Sequence, residues 1–295
     1  MSGKNRNTST FWNMILMLPG FSIYVLIIIL PIFMCFYFGF FDWDGIRDNM
    51  TFVGLDNFVK ALHDVNFLTS LKTTFFFSIP GTLIVNTLGI VLAVLVNKRS
   101  RMTNFYRSAF FFPMLISGVA IGFIWKALLS YSGVVNSLLA YWNVEAIDFL
   151  GAIALAPWSI LLVNTWHDVG FVTVLYLAGL QAIPSDLYDS AIIDGANKLQ
   201  QFTAITFPWL APSLTSCVIF VFTGYMRLYD IIFVMTSGGP GGATETIAIQ
   251  TIRVGFNQNR FSYGSSLAIY MLVIIGVLSV AITQVLRKRE AQLIS

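Results

Sequence analysis

Polar side chains inside otherwise apolar segments are the residues of this chain best placed to do chemistry. Asn164, His167 and Asp168 lie in one hydrophobic stretch, and Arg227 and Asp230 lie in another. A charge at the centre of a membrane helix costs about 2.5–3.5 kcal/mol on insertion scales, so such residues are expected to be paired or to face a cavity. Helical spacing predicts an ion pair between Arg227 and Asp230 on one face.

Aromatic residues accompany these polar groups. Helical spacing puts Asn164, Asp168 and Phe171 on one face, and Tyr225 and Tyr229 on another. Amide and carboxyl groups hydrogen-bond hydroxyl groups, and rings stack on C–H faces, so the combination suits a sugar. Two alternatives stay open: the polar residues only hold helices together, or His167 and Asp168 relay protons in a carrier that needs no ATP.

Composition places the chain in a membrane. Of 295 residues, 57% are hydrophobic and 11% are charged, whereas soluble domains carry about a quarter charged residues. Continuous apolar runs of about 20 residues predict membrane helices rather than barrel strands. We therefore predict an all-α integral membrane protein with six transmembrane helices, near Met14–Phe40, Phe75–Val96, Ala109–Leu129, Leu155–Leu180, Ser213–Thr236 and Ser265–Leu286.

The distribution of Lys and Arg predicts the orientation. With both termini in the cytoplasm, the basic clusters near residues 98–107 and 287–289 lie inside, and most acidic residues lie outside. This agrees with the positive-inside rule. The net charge of +3 is too small to suggest nucleic acid, and Cys35 and Cys217 fall inside apolar spans as small hydrophobic residues.

A polar segment, residues 181–212, separates the fourth and fifth spans. Gly195 interrupts it, Asn197 and Gln200 have the spacing of a capping box, and Pro208 is expected to end the second helix. The pattern predicts two short helices that meet at a glycine. A short amphipathic helix of this kind suits a groove in a partner protein.

The alternative for this segment is a helix that lies on lipid headgroups. In either case Ser185 is the expected N-cap of the first helix. Anionic lipid would repel the acidic residues Asp186, Asp189 and Asp194, which favours a protein partner.

The same segment carries a spaced motif. Asp189-Ser190-Ala191 is followed after three residues by Gly195, after nine more by Ile205, and then by Phe207-Pro208. This closely resembles the coupling loop of permease subunits in ABC importers, with the pattern Glu-Ala-Ala, Gly, Ile, Leu-Pro at the same offsets. The resemblance implies that the ATPase-coupling residues are Asp189, Ser190, Ala191, Asp194, Gly195, Ile205 and Pro208.

Further motifs extend the resemblance over nearly the whole chain. Residues 52–58 (FVGLDNF), 179–184 (GLQAIP) and 236–240 (TSGGP) are similar to signatures of the carbohydrate-uptake branch, and in particular of the larger maltose-type subunit. The resemblance implies a type-I ABC importer permease fold. It also implies a second homologous permease subunit, two ATPase subunits and an external sugar-binding protein as partners.

Carried over by matching motifs, the sugar-lining positions fall on the third, fourth and fifth spans. They are Met114, Gly118, Asn164, Asp168, Phe171, Gly224, Tyr225 and Leu228. The expected domains are residues 1–69 with the first span and outer loop, 70–287 as the permease core with the coupling loop at 181–212, and 288–295 as a cytoplasmic tail.

No Gly-Lys-Ser/Thr phosphate loop occurs in the sequence, so ATP and Mg²⁺ are expected on a separate ATPase. We expect a transport subunit without catalytic residues, metal or cofactor of its own, in a prokaryotic cytoplasmic membrane. A membrane-bound transferase is disfavoured, because the cytoplasmic acids lie inside the coupling motif. The proton-coupled sugar carrier remains the alternative function.

Overall fold

The computed structural model describes residues 16–97 and 101–294. Within them lie six helical segments that are long and apolar enough to cross a membrane: Leu16–Gly39, Val65–Val96, Gly118–Tyr141, Ala156–Gln181, Ala211–Met235 and Phe261–Glu290. The prediction of six spans is confirmed. The start expected for the first span, Met14, lies outside the described residues.

In chain order the helices are α1 (Leu16–Gly39), α2 (Asp56–His63), α3 (Val65–Val96), α4 (Arg101–Phe111), α5 (Gly118–Leu129), α6 (Val134–Tyr141), α7 (Ala156–Gln181), α8 (Ser185–Ile193), α9 (Lys198–Gln201), α10 (Phe207–Trp209), α11 (Ala211–Met226), α12 (Asp230–Met235), α13 (Ile247–Ile252) and α14 (Phe261–Ile294). Two short strands, β1 (Phe41–Asp42) and β2 (Thr51–Phe52), pair antiparallel with Phe41 opposite Phe52. A 3₁₀ turn occupies Phe112–Leu115, and π-helical turns occupy Val25–Ile29, Phe202–Thr206 and Arg253–Asn257.

The chain divides into two compact units. The first combines the residues up to Asp64 with residues 251–270. In this unit the buried Asn57 amide donates to the carbonyl oxygens of Gly39 (3.0 Å) and Phe41 (2.6 Å), and so holds α2 against the end of α1. The Tyr263 hydroxyl donates to Asp64 at 2.7 Å. The two Asn57 bonds satisfy backbone carbonyl groups at the point where the chain leaves the first span.

The second unit contains residues 65–250 and 271–295. Its core is built from α3, α7 and α11, and glycines permit the helices to approach closely. A Cβ at Gly81 would overlap the Tyr225 ring, and one at Gly89 would lie 2.7 Å from Val172. Such small residues are a common means of helix packing in lipid, where close van der Waals contact replaces the hydrophobic driving force.

Two expected spans are interrupted, which corrects their prediction as continuous helices. The third, expected over Ala109–Leu129, breaks after Phe111 and restarts at Gly118. Pro113 lies in the intervening 3₁₀ turn, where it cannot donate to a preceding carbonyl. The fifth, expected over Ser213–Thr236, breaks between Met226 and Asp230, although proline is absent there from the sequence.

The segment expected to carry coupling folds as two short helices around Gly195, as predicted, and Gly195 has a φ of +75°. The predicted capping box forms: Asn197 Oδ1 accepts from the Gln200 amide at 2.9 Å, and Gln200 Oε1 accepts from the Asn197 amide at 2.8 Å. Two details are wrong. Ser185 is the first helical residue rather than the N-cap, and the backbone stays helical through Pro208, which lies near the start of α10.

Candidate functional site

The break in the fifth span exposes backbone at membrane depth. After Met226 the helix ends, and Tyr229 has a φ of −132° before α12 begins. The carbonyl oxygen of Leu228 accepts a hydrogen bond from the Thr246 hydroxyl at 2.9 Å. Irregular backbone at this depth is tolerated only inside protein or along a cavity. The break therefore marks a place where a ligand is expected.

The break in the third span is held by the fourth. His167 Nε2 lies 3.1 Å from the carbonyl oxygen of Ile116, and His167 Nδ1 lies 2.7 Å from Asp168 Oδ1. A proton on each ring nitrogen satisfies both contacts. Asp168 Oδ2 also accepts from the Asn164 amide at 3.2 Å. Three residues of α7 thus form one polar chain that ends at the broken segment.

A cavity of about 250 Å³ lies between the two breaks. Its polar lining residues are Asn164, His167, Asp168, Arg227 and Asp230, and its aromatic lining residues are Phe220 and Tyr229. The remaining lining residues are Gly118, Val221, Gly224, Leu228 and Ile231. Donors, acceptors and aromatic faces around one cavity can bind a polyhydroxyl ligand.

Five of the eight residues that the sequence proposed for sugar contact lie on this cavity: Gly118, Asn164, Asp168, Gly224 and Leu228. The other three, Met114, Phe171 and Tyr225, are not among its lining residues. The Phe171 ring packs against Phe220, with centroids 4.7 Å apart, and so supports the wall from behind. Tyr225 is 1% exposed and its ring lies against Gly81.

The predicted pairing of Arg227 with Asp230 is wrong. The break between them removes the helical spacing on which the prediction depended, and these two described residues form no ion pair with each other. Arg227 Nε instead donates to the Thr223 carbonyl at 3.2 Å. The side chains of Arg227 and Asp230 are both exposed on the cavity wall. Because the helix breaks between Met226 and Asp230, Tyr229 also does not share a face with Tyr225.

Three residues that line this cavity were not predicted from the sequence: Phe220, Val221 and Ile231. They are apolar residues in an apolar span, so their residue types do not distinguish them from neighbours that face lipid or the core. Helical spacing places Phe220 one turn before Gly224, which would have been enough to include it. Ile231 follows the break, and the direction of its side chain depends on the non-helical backbone of the break, to which helical spacing does not apply.

The expected coupling residues lie together in the segment formed by α8, α9 and α10. Asp189, Ser190, Asp194 and Gly195 are exposed, and Ala191, Ile205 and Pro208 are half-buried. Leu187, Tyr188 and Ile205 pack against the core, and the Tyr188 hydroxyl lies 2.9 Å from the Thr206 hydroxyl.

The opposite side of this segment is apolar and open. Ile193 is 85% exposed and Leu199 is 72% exposed, beside the carboxylate of Asp194. An apolar surface rimmed by charge is typical of a site that docks a protein. Leu187 and Tyr188 hold the loop to the core, whereas Ile193 is exposed on the outer side.

Residues 85–292 match the family described as binding-protein-dependent transport system inner membrane components. This covers more than half of the chain. The chain belongs to this family. The expectation of a membrane permease of a binding-protein-dependent importer, rather than an enzyme, is confirmed.

Individual family members are similar over nearly their full lengths. The probable starch degradation products transport system permease protein AmyD of Thermoanaerobacterium thermosulfurigenes is 31% identical over 286 residues, covering 96% of each chain. The trehalose/maltose transport system permease protein MalF of Thermococcus litoralis is 32% identical over 268 residues, covering 88% of each chain.

The fold of this family member has a solved counterpart. The crystal structure of a bacterial ABC transporter that imports the acidic polysaccharide alginate contains a chain with a TM-score of 0.83, 22% identity and coverage of 96% and 98%. The type-I ABC importer permease fold expected from the sequence is confirmed. The matched family and relatives support an importer permease and do not support the proton-coupled carrier.

Proposed function

We propose that this permease takes up a sugar or oligosaccharide that an external binding protein delivers, and that a separate ATPase drives it. The cavity between the two helix breaks carries the proposal, because it combines hydrogen-bonding groups with rings at membrane depth. The names of the relatives point to sugars such as starch products, trehalose and maltose. Arg227 is the one arginine or lysine among the lining residues of this cavity, which favours a neutral sugar over a phosphorylated one.

The proposed assembly contains a second homologous permease, two ATPase subunits that supply ATP and Mg²⁺ chemistry, and the binding protein. In the domain scheme proposed from the sequence, residues 70–287 form the permease core and the segment at 181–212 receives the ATPase. The exposed Ile193 and its neighbouring carboxylates support this docking surface. The proposed location is the prokaryotic cytoplasmic membrane, with both termini in the cytoplasm, as the Lys and Arg distribution favours.

In the proposed mechanism the docked ATPase closes on ATP and moves α8 and α9. Their core-facing residues, Leu187 and Tyr188, transmit that movement to the spans. The spans then alternate between a cavity open to the binding protein and a cavity open to the cytoplasm.

The test compares two substitutions of exposed isoleucines in a reconstituted assembly. Ile193→Asp places a charge on the proposed docking surface and should abolish both co-purification of the ATPase and ATP-dependent sugar uptake. Ile46→Asp changes a residue that is 75% exposed in the first outer loop and should leave ATPase co-purification intact. Uptake that continues without ATP and stops with a protonophore would overturn the ATP-driven function in favour of a carrier.

A further inference from the structure

An apolar groove runs along the sixth span on the side of the second unit away from the cavity. Its first part, about 370 Å³, is lined by Phe207, Ala211, Leu214, Thr215, Leu286, Arg289 and Glu290. Its second part, about 400 Å³, is lined by α3, α11 and α14 through residues such as Leu83, Phe222, Ala281 and Leu286. Leu286 lines both parts, so they adjoin at this side chain, and the groove they make up has an apolar end and a charged end.

The groove and the sugar cavity are lined by different residues of α11. At about 100° per residue, Ala211, Thr215 and Phe222 fall within one narrow stripe of α11. The cavity residues Phe220 and Gly224 fall roughly half a turn away from that stripe. Val221, the third cavity residue on α11, falls about 100° from the stripe. The groove and the ligand cavity share no lining residue, so the groove is not a part of that site.

The length of the groove fits one leaflet of a bilayer. From Ala211 to Phe222 the helix rises about 16 Å, close to half of the roughly 30 Å hydrocarbon thickness. Its charged end, at Arg289 and Glu290, coincides with the end of the sixth span. A lipid acyl chain that enters at the membrane surface would follow the apolar walls for the depth of a leaflet.

The charged end contains one cation and one anion. Arg289 is exposed, and Glu290 is half-buried with its Oε2 accepting from the Thr215 hydroxyl at 3.4 Å. A phosphate pairs well with a guanidinium, and a primary ammonium pairs with a carboxylate. A purely anionic headgroup would leave Glu290 facing negative charge, and a quaternary ammonium has no N–H to donate.

We propose that this groove binds a phospholipid of the phosphatidylethanolamine type, with its phosphate at Arg289, its ammonium at Glu290 and an acyl chain along α11 and α14. Arg287 and Lys288 are exposed on the same helix but do not line the groove, so they attract lipid only through their general positive charge. The occupant is thus selected by the paired charges rather than by the basic cluster.

The experiment measures lipid retained by the purified full chain in detergent, by native mass spectrometry, after exchange with phosphatidylethanolamine, phosphatidylglycerol or phosphatidylcholine of matched chains. Wild-type protein should retain phosphatidylethanolamine in preference to the other two. Arg289→Gln and Glu290→Gln should each weaken that preference about tenfold, as loss of one charge-assisted hydrogen bond implies. The control Arg287→Gln, which removes a neighbouring charge outside the groove, should retain it.

A second pair of variants tests the acyl path. Ala281→Trp and Leu83→Trp fill the groove at two different helices and should lower retention of all three lipids, with folding checked by circular dichroism. Equal or greater retention of phosphatidylglycerol, or an unchanged preference in Glu290→Gln, would overturn the proposal. So would groove-filling variants that keep the lipid in this assay but no longer co-purify with a second permease subunit when the two are expressed together, since the occupant would then be protein.

Discussion

Replacing Gly224 with leucine should close the proposed sugar cavity without unfolding the chain. A Cβ added at Gly224 meets no other heavy atom within 4 Å, and Gly224 lies on the cavity wall. The new side chain therefore projects into open space rather than into the core. Leucine also has a higher helix propensity than glycine, by roughly 0.5–1 kcal/mol, so the backbone of α11 gains rather than loses.

The expected effect follows from volume. A water molecule occupies about 30 Å³ in the liquid, and a carbon atom with its hydrogens occupies slightly less. The four carbon atoms that leucine adds therefore take roughly 100 Å³. The cavity offers about 250 Å³, so some two fifths of it is lost. The remaining space leaves less room for a sugar ring with its hydroxyl groups. Uptake of labelled sugar into vesicles that carry the full assembly should fall at least about tenfold, a loss of some 1.4 kcal/mol.

Gly276→Leu is the matched control for this prediction. Gly276 is also an exposed glycine in a membrane helix, and a Cβ added there also meets no heavy atom within 4 Å, but it does not line the cavity. The control should transport as the wild type does, and both variants should keep the wild-type thermal midpoint. A folded Gly224→Leu protein that imports sugar at the wild-type rate would refute the assignment of the cavity.

Three further substitutions test other parts of the structure. Asn164→Leu removes the amide that donates to Asp168 and should destabilise the protein by about 1–3 kcal/mol, seen as a fall of several degrees in the thermal midpoint; an unchanged midpoint would show that this bond contributes little. Gly170→Ala brings a methyl group into overlap with the Phe110 carbonyl oxygen and should lower the free energy of unfolding by about 1–3 kcal/mol, measured in the same melting assay. An unchanged midpoint would mean that α4 can shift to accommodate the methyl group without a measurable cost. Gly195→Val puts a β-branched residue at a φ of +75°, which costs about 1–2 kcal/mol. This variant should reduce ATP-dependent uptake more than Gly195→Asn does, because asparagine tolerates this backbone region. Equal uptake in both variants would exclude a role for the glycine conformation.

Apolar runs were enough to predict six spans, because a membrane helix needs a continuous stretch that few other structures produce. The breaks in the third and fifth spans were not predicted. Pro113 was visible in the third, but a proline in a membrane helix often only bends it. The fifth break has no local signal of that kind, and the residue that contacts it at Leu228 is Thr246, which lies 18 residues further along the chain.

Helical spacing predicted which side chains share a face on an unbroken helix and failed at the break in the fifth span; the role of these residues in sugar binding stays a prediction. Asn164 and Asp168 lie on an unbroken helix, and the structure brings both to the cavity wall as their spacing predicts. Tyr225 precedes the break in the fifth span, and its direction was set by the room that Gly81 leaves for its ring. That choice depends on packing between helices that are far apart in sequence.

Each of the two breaks is stabilised by a hydrogen bond from a side chain of another element. The strength of these bonds sets part of the cost of opening the cavity. Each break leaves a carbonyl oxygen that a side chain from another element satisfies, Ile116 through His167 and Leu228 through Thr246. Such a bond contributes about 0.5–1.5 kcal/mol, or about 1.5–3 kcal/mol where a charged group donates. In the proposed mechanism, the free energy needed to move either break is therefore small compared with the cost of unwinding an intact membrane helix, where every freed backbone group would face lipid. Broken spans give the permease a cavity wall that can move while the intact helices α3 and α7 keep their packing.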